Sequence, residues 1–237
     1  MDALVTSPVM GPARRRVLAD EVADAIRDAI FAGSIDLGQR LVEEDLASNL
    51  NVSRGPVREA LVRLSQEGLV HMERHRGATV AQLGLDEVYE IYSLRTALER
   101  LAAEWLCANA TAEDFRRMAG VLQQFDSLPR PLTRSAVAGL DVAFHDAVYQ
   151  AAHHERLYQA WLSLRSQIFL YLVHRGALRA DFAYSWLKDH EDLLEVLMRR
   201  KRVAAIKVVE GHIEGTYQRV LEANREAGSP DPAPGPR

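Results

Sequence analysis

The sequence predicts a mainly α protein in two parts, an N-terminal winged helix-turn-helix followed by an all-α six-helix bundle. Three observations carry that expectation. Apolar residues recur at helical spacing along most of the chain. Two short strand-like stretches, roughly 69–73 and 78–82, flank the polar tip "RHRG", as a small hairpin requires. Beyond residue 85 no strand pattern recurs.

Taken in order, residues 1–13 carry Pro8, Gly11 and Pro12 and are expected to be flexible. "RRRVLADEVADAIRDAIFAG" places Val17, Leu18, Val22, Ile26, Ile30 and Phe31 on one stripe and stops at Gly33. "LVEEDLASNL" forms a short second helix, ended by a tight turn at Asn51 and Val52. Ser53 then falls at an N-cap, where its hydroxyl can accept a backbone N–H that has no helical partner. Pro56 lies in the first turn, where a missing N–H costs nothing. The third helix runs to Gly68 with Val57, Leu61 and Leu64 inward, and Gly77 suits the hairpin turn. The head therefore spans 14–82, and "LGLD" at 83–86 is a linker too brief for a loose tether. The second domain, 87–227, reads as helices at 85–108, 111–128, 133–153, 155–176, 180–199 and 201–226. The proline-rich tail 228–237, "GSPDPAPGPR", is expected to be disordered.

Composition sets bounds. The 237 residues are comfortable for two domains, each with its own core. The net charge of -4 does not advertise a polyanionic partner for the chain as a whole. The single cysteine, Cys107, excludes an internal disulfide and fits a reducing compartment. No apolar run approaches the ~20 residues of a membrane span, and the N-terminus lacks a signal-peptide profile. The expectation is a cytoplasmic protein with no membrane partner.

The third helix shows where chemistry enters. Arg54 and Arg58 stand one turn apart on a face free of large apolar residues. A helix-turn-helix offers the N-terminal part of its second helix to the DNA major groove, and a guanidinium can grip guanine or phosphate bidentately. Ser53 and the main chain at Gly55 are placed for phosphate; Arg63 faces partly the same way, and Arg74, His75, Arg76 and Gly77 form the wing tip. The plainer reading is a solvated face, paired with Glu59 and Glu67. Charge alone does not separate the two, since residues 1–81 hold ten Arg against twelve Asp plus Glu. The order of elements favours DNA.

"LVEEDLASNLNVSRGPVREALVRLSQEGLV", 41–70, closely resembles the signature of GntR-type winged-helix regulators, and "GSIDLGQRL" and "RGATV" match on either side. The resemblance covers about 15–82. It implies DNA contacts by Ser53, Arg54, Gly55, Arg58 and the wing tip at Arg76 and Gly77. Glu44 departs from it, standing where some relatives carry a DNA-reaching arginine.

In the helical half, Asp141 and His145 share a helix face at i and i+4, and can supply oxygen and nitrogen to one ion. His190 sits among Leu187, Leu193 and Leu194, and His212 between Val209 and Ile213. Each could equally be a satisfied core histidine, and the sequence does not show that the helices meet. His153, His154 and His174 read as surface or helix-end residues, and His71 and His75 as wing residues. The arrangement resembles the FCD effector domain of the FadR-like branch, in its metal-binding, VanR-like form. That resemblance implies a divalent ion at Asp141, His145, His190 and His212, with zinc first and nickel or manganese also compatible. "SLRTALERLAA", 93–103, resembles the first helix of that domain and implies that Arg95 receives an effector carboxylate; a salt bridge is its plainer role.

The expected function is a transcriptional regulator, a repressor, acting as a homodimer on a palindromic double-stranded operator and answering to a small carboxylate, with no catalytic residues. Two alternatives stand beside it. One is a metal-dependent hydrolase fused to a DNA-binding head, with Glu191 or Glu210 as base; the other is a regulator with a purely structural metal.

Overall fold

The computed structural model describes residues 14–73, 77–82, 84–174 and 182–226. The expected flexible start, the tip residues Arg74, His75 and Arg76, linker residue Leu83 and the tail from Gly228 lie outside the described residues.

The head is built from α1 (Arg14–Phe31), β1 (Arg40–Leu41), α2 (Glu43–Asn49), α3 (Arg54–Gln66), β2 (Val70–Glu73) and β3 (Gly77–Val80). Val22, Ile26 and Ile30 of α1 bury against Val57, Leu61 and Leu64 of α3, with Leu69 and Val80 closing the core beneath the wing. The α1 stripe starts later than its spacing suggests. Val17 and Leu18 are exposed, and burial begins at Ala19. The expected two-stranded ribbon is also a three-stranded antiparallel sheet in the order β1-β3-β2. Arg40 pairs with Thr79, and Leu41 with Ala78. Gly38, at φ +75°, turns the chain so that its N–H donates to the Val80 carbonyl. A strand of two residues has no alternation to detect.

The bundle comprises α4 (Leu85–Asn109), α5 (Ala112–Gln123), a 3-10 turn (Gln124–Ser127), α6 (Arg134–Ala151), α7 (Glu155–His174), α8 (Phe182–Met198) and α9 (Arg202–Glu226). Thr111 starts α5 with a capping box, its Oγ1 accepting from the Asp114 N–H while the Asp114 carboxylate accepts from the Thr111 N–H. His153 and Arg200, both at positive φ, turn the chain after α6 and α8. α6 lies in the middle, against α4, α5 and α7, and α9 packs along α4 and α8. Phe144, Trp161, Trp186, Leu197 and Val209 fill the centre. Among the described residues, no helix is long and apolar enough to cross a membrane.

The two parts are joined by side chains as well as by the linker. Glu67, just past α3, accepts from Arg27 Nε at 2.9 Å and Nη2 at 2.5 Å, and from Ser166 Oγ of α7 at 2.9 Å. Phe31 lies 4.1 Å, ring to ring, from Phe169. Gly68, at φ +71°, leaves no room for a Cβ beside the Gln167 amide. Replacing it puts a side chain in the left-handed region, at a cost of ~1–2 kcal/mol. Gly68→Ala should therefore lower the melting temperature by roughly 2–8 °C, as read by thermal denaturation, given ~2–4 °C per kcal/mol at this size.

Candidate functional site

Inside the bundle, α6 supplies Asp141 and His145 one turn apart, α8 supplies His190 and α9 supplies His212. Helical spacing makes the first pair, and the packing of α6, α8 and α9 brings the other two histidines to it. The ligating atoms of the three imidazoles lie within 4.8 Å of one another. Asp141 Oδ1 is 3.3 Å from His190 Nε2, and Asp141 Oδ2 is 4.0 Å from His145 Nε2. The remaining polar contacts orient these groups. Trp186 Nε1 donates to Asp141 Oδ1 at 3.0 Å, and His190 Nδ1 donates to the Trp186 carbonyl at 2.8 Å, which turns Nε2 toward Asp141. His145 Nδ1 is 3.0 Å from Glu99 Oε2, off the line of a well-formed hydrogen bond.

The Nε2 atoms of all three histidines and Asp141 Oδ2 are buried without a hydrogen-bond partner. Buried polar atoms are nearly always satisfied, so three converging imidazole nitrogens, with Asp141 beside two of them, mark a place for a further atom. Three nitrogens and one carboxylate oxygen form a donor set that a first-row divalent ion accepts.

Arg95, 1% exposed, completes the cluster from α4. Its Nε donates to Glu99 Oε1 at 2.8 Å and its Nη2 lies 3.9 Å from Asp141 Oδ2. Both Nη groups lack a hydrogen-bond partner. The guanidinium rests 5.6 Å from the Trp161 ring centre, and Trp161 stacks on Tyr149. Arg95 thus forms the salt bridge of its plainer reading, while its two Nη groups have no hydrogen-bond partner. Glu99 was missed from the sequence, although it stands four residues after Arg95 on the same inner face.

Burial governs the charge states. Burial alone raises the Asp141 carboxyl, but the His190 contact and the charges of His145, His190 and Arg95 outweigh it and hold it far below the carboxylate range. The same opposition lowers Glu99, through His145 and Arg95. Burial pushes His145 down, and pushes His212 well down with help from His190 and His145, so both stay neutral. The histidines assigned to the surface or to helix ends lie elsewhere: His153 Nε2 is 2.8 Å from Asp114, and His154 Nδ1 accepts from the Leu157 N–H at the start of α7.

The second feature is the exposed face of α3. The side chains of Arg54 and Arg58 are 55% and 60% exposed, and both reach Glu43 Oε2, at 3.1 Å and 2.6 Å. Both thus share Glu43 of α2, while Glu67 is held by Arg27 and Ser166. Ser53 occupies the N-cap, but its hydroxyl makes no capping bond and remains on the surface beside Arg54. Arg63 does not join this pair; it is tied to Asp20 of α1. Gly77, at φ +92°, opens β3, and Arg76 lies outside the described residues.

Residues 90–215 match the FCD domain family, and residues 18–80 match the family described as bacterial regulatory proteins, gntR family. The chain is similar to the Uxu operon transcriptional regulator of Escherichia coli K12, at 30% identity over 85% of this chain and 86% of that protein. It is also similar to the gluconate operon transcriptional repressor of Bacillus licheniformis, at 27% identity over 84% and 83%. Among solved structures, a GntR transcriptional regulator from Rhodococcus sp. RHA1 superposes with a TM-score of 0.72 at 25% identity, covering 86% of this chain and 98% of that one. These relatives and both domains are those of transcriptional regulators, not enzymes, which leaves the hydrolase alternative without support.

The buried histidines make stability acid-sensitive. An unfolded histidine titrates near 6.5. As pH falls below about 6.5, the unfolded chain takes up protons that His145 and His212 refuse, and stability drops until the pH passes their depressed folded values. Asp141 and Glu99 act in the same direction at lower pH, contributing stability above 3.8 and 4.5 that is lost as pH falls through their lowered folded values. With no divalent ion added, the melting temperature should be lower at pH 5.5 than at pH 8. A flat profile would contradict the buried neutral state.

Proposed function

Because the chain belongs to the gntR family of bacterial regulatory proteins and carries an FCD domain, we propose that this DNA-binding transcriptional regulator is a repressor whose operator affinity is set by a small organic acid bound beside a divalent ion. One observation carries the reading: three imidazoles converge, Asp141 lies beside two of them, and their ligand atoms are unpartnered.

Asp141, His145, His190 and His212 would hold the ion, and their donor set suits zinc first, with nickel or manganese also accommodated. When bound, such an ion offers open coordination positions to a carboxylate or hydroxyl oxygen. The chain's own groups do the rest. Glu99 and the Trp186 carbonyl orient His145 and His190, and Arg95 presents two free donors in the planar fork that matches a carboxylate. Trp161 and Tyr149 wall the guanidinium off from water, which strengthens its hold on an anion.

At the head, Ser53, Arg54, Gly55 and Arg58 would meet the major groove and its phosphates, with Gly77 and Arg76 at the wing and Arg63 behind them. DNA would take over the role that Glu43 plays for both arginines in the free chain. A homodimer on a palindromic operator is supported by the outer face of α4, where Leu94, Leu101 and Trp105 are 48%, 36% and 42% exposed. The gluconate operon transcriptional repressor among the relatives supports the sign of control.

Arg58→Ala should weaken specific operator binding by roughly 10–100-fold, equivalent to ~1–3 kcal/mol for one bidentate contact, with helical circular dichroism unchanged. Retained affinity in a mobility-shift assay would remove Arg58 from the interface. His190→Ala should abolish stoichiometric zinc binding, read by metal analysis after dialysis, and full occupancy would exclude that residue from the site. A single Arg95→Ala change would strand Glu99 at a cost of ~3–5 kcal/mol. The double variant Arg95→Met, Glu99→Gln is the fairer test, and it should lose the response to acid while DNA affinity persists.

A further inference from the structure

A cavity of about 560 Å³ lies between α8 and α9, within the size range of small-molecule sites. Of the four residues converging at the centre of the bundle, His212 alone borders it. His212 therefore belongs both to the lining of this cavity and to the buried cluster. His212 contributes a buried Nε2 that has no hydrogen-bond partner.

Two glycines of α9 flank this histidine. A Cβ at Gly211 would meet nothing within 4 Å, and one at Gly215 would meet only the Arg219 guanidinium, at 3.6 Å. A glycine inside a helix weakens it relative to alanine. Both glycines line the cavity, so a side chain introduced at either would enter it. Leu193 and Val196 of α8 and Val208 of α9 form an apolar floor. Of the charged side chains that line it, Asp189 is 3.6 Å from Arg219, and Asp192 pairs with Lys188. Lys207 adds a cation.

We infer that this cavity is the port and outer subsite of the histidine cluster, and that it takes a compact monocarboxylic acid with an apolar, aromatic or aliphatic body rather than a polyhydroxylated acid. The carboxylate passes His212 to the cluster, and the carbon body lies on Leu193, Val196 and Val208. A polyol there would exchange hydrogen bonds with water for contact with methyl groups. The inference rests on the metal reading above.

The test uses the full chain loaded with Co²⁺, whose visible bands report changes in coordination, titrated with benzoate and with D-gluconate. Benzoate should shift the bands at a concentration at least about tenfold lower than gluconate. Gly211→Phe should take up Co²⁺ to the same stoichiometry and melt at the same temperature, yet lose the benzoate response; Gly211→Leu repeats the block with a better helix former. Bands unmoved by benzoate, or moved as readily by gluconate, overturn the ligand class. A Gly211→Phe protein that answers benzoate like the wild type overturns the port. A variant that becomes monomeric where the wild type is dimeric assigns the cavity to a second copy instead and also overturns it. Wild-type protein that takes up no Co²⁺ fails at the earlier step, and the metal reading falls with the port.

Discussion

The constraint on which the rest of the bundle depends is a set of ionisable groups held out of water at its centre. Arg95, Glu99, Asp141, His145 and His190 are each 5% exposed or less. Desolvating a charge costs several kcal/mol, and only close partners offset it. The geometry of α4 and α6 follows from that need. Arg95 and Glu99 pair through one hydrogen bond at i and i+4 within a helix, and α6 brings Asp141 and His145 against them, again at i and i+4. The rings of Phe144, Tyr149, Trp161 and Trp186 then exclude water around the group, which is why the large aromatic residues are concentrated there.

The head obeys a different rule, because its charges stay at the surface. Glu43 holds Arg54 and Arg58 side by side. Such exposed pairs contribute little stability, and on the proposed reading DNA phosphates would replace the carboxylate at small cost. Glu67 is the more consequential carboxylate. It joins α1, the end of α3 and α7 through Arg27 and Ser166. Trp161, on the same α7, lies beneath Arg95 in the buried cluster. One rigid helix therefore touches both the centre of the bundle and the base of the recognition helix.

Much of this was legible in the sequence, for identifiable reasons. Each helix of the bundle is long enough for its 3.6-residue period to accumulate, and Thr111 and the "HHER" break mark helix ends with local chemistry that needs no tertiary help. Asp141 and His145 announced themselves because helical spacing alone places them together. His190 and His212 could be joined to them only by resemblance, since nothing local says which faces of α8 and α9 meet α6. Glu99 escaped notice because a glutamate four residues after an arginine is ordinarily a solvated pair, and only burial reveals this one as part of the cluster. The β1 edge was too short to carry a pattern, and the partners of Arg58 and Arg63, Glu43 and Asp20, lie on other helices. Contacts within one helix can be read from spacing, and contacts between helices wait for packing.

The charge of the cluster gives an order to what it can accept. One guanidinium faces two carboxylates, a net negative set of three, beside His145 and His212, which burial keeps neutral, and with little water. A free organic acid approaching that arrangement would meet repulsion from Asp141 and Glu99, with only the outer donors of Arg95 in its favour. A divalent cation meets the opposite field. Once a cation is present the net charge changes sign, and the same low-dielectric surroundings that repelled a carboxylate now attract it. On the proposed reading, the acid is therefore recognised only by the metal-loaded bundle. Coupling between the two ligands arises from electrostatics at one site, without any need for a conformational step between them.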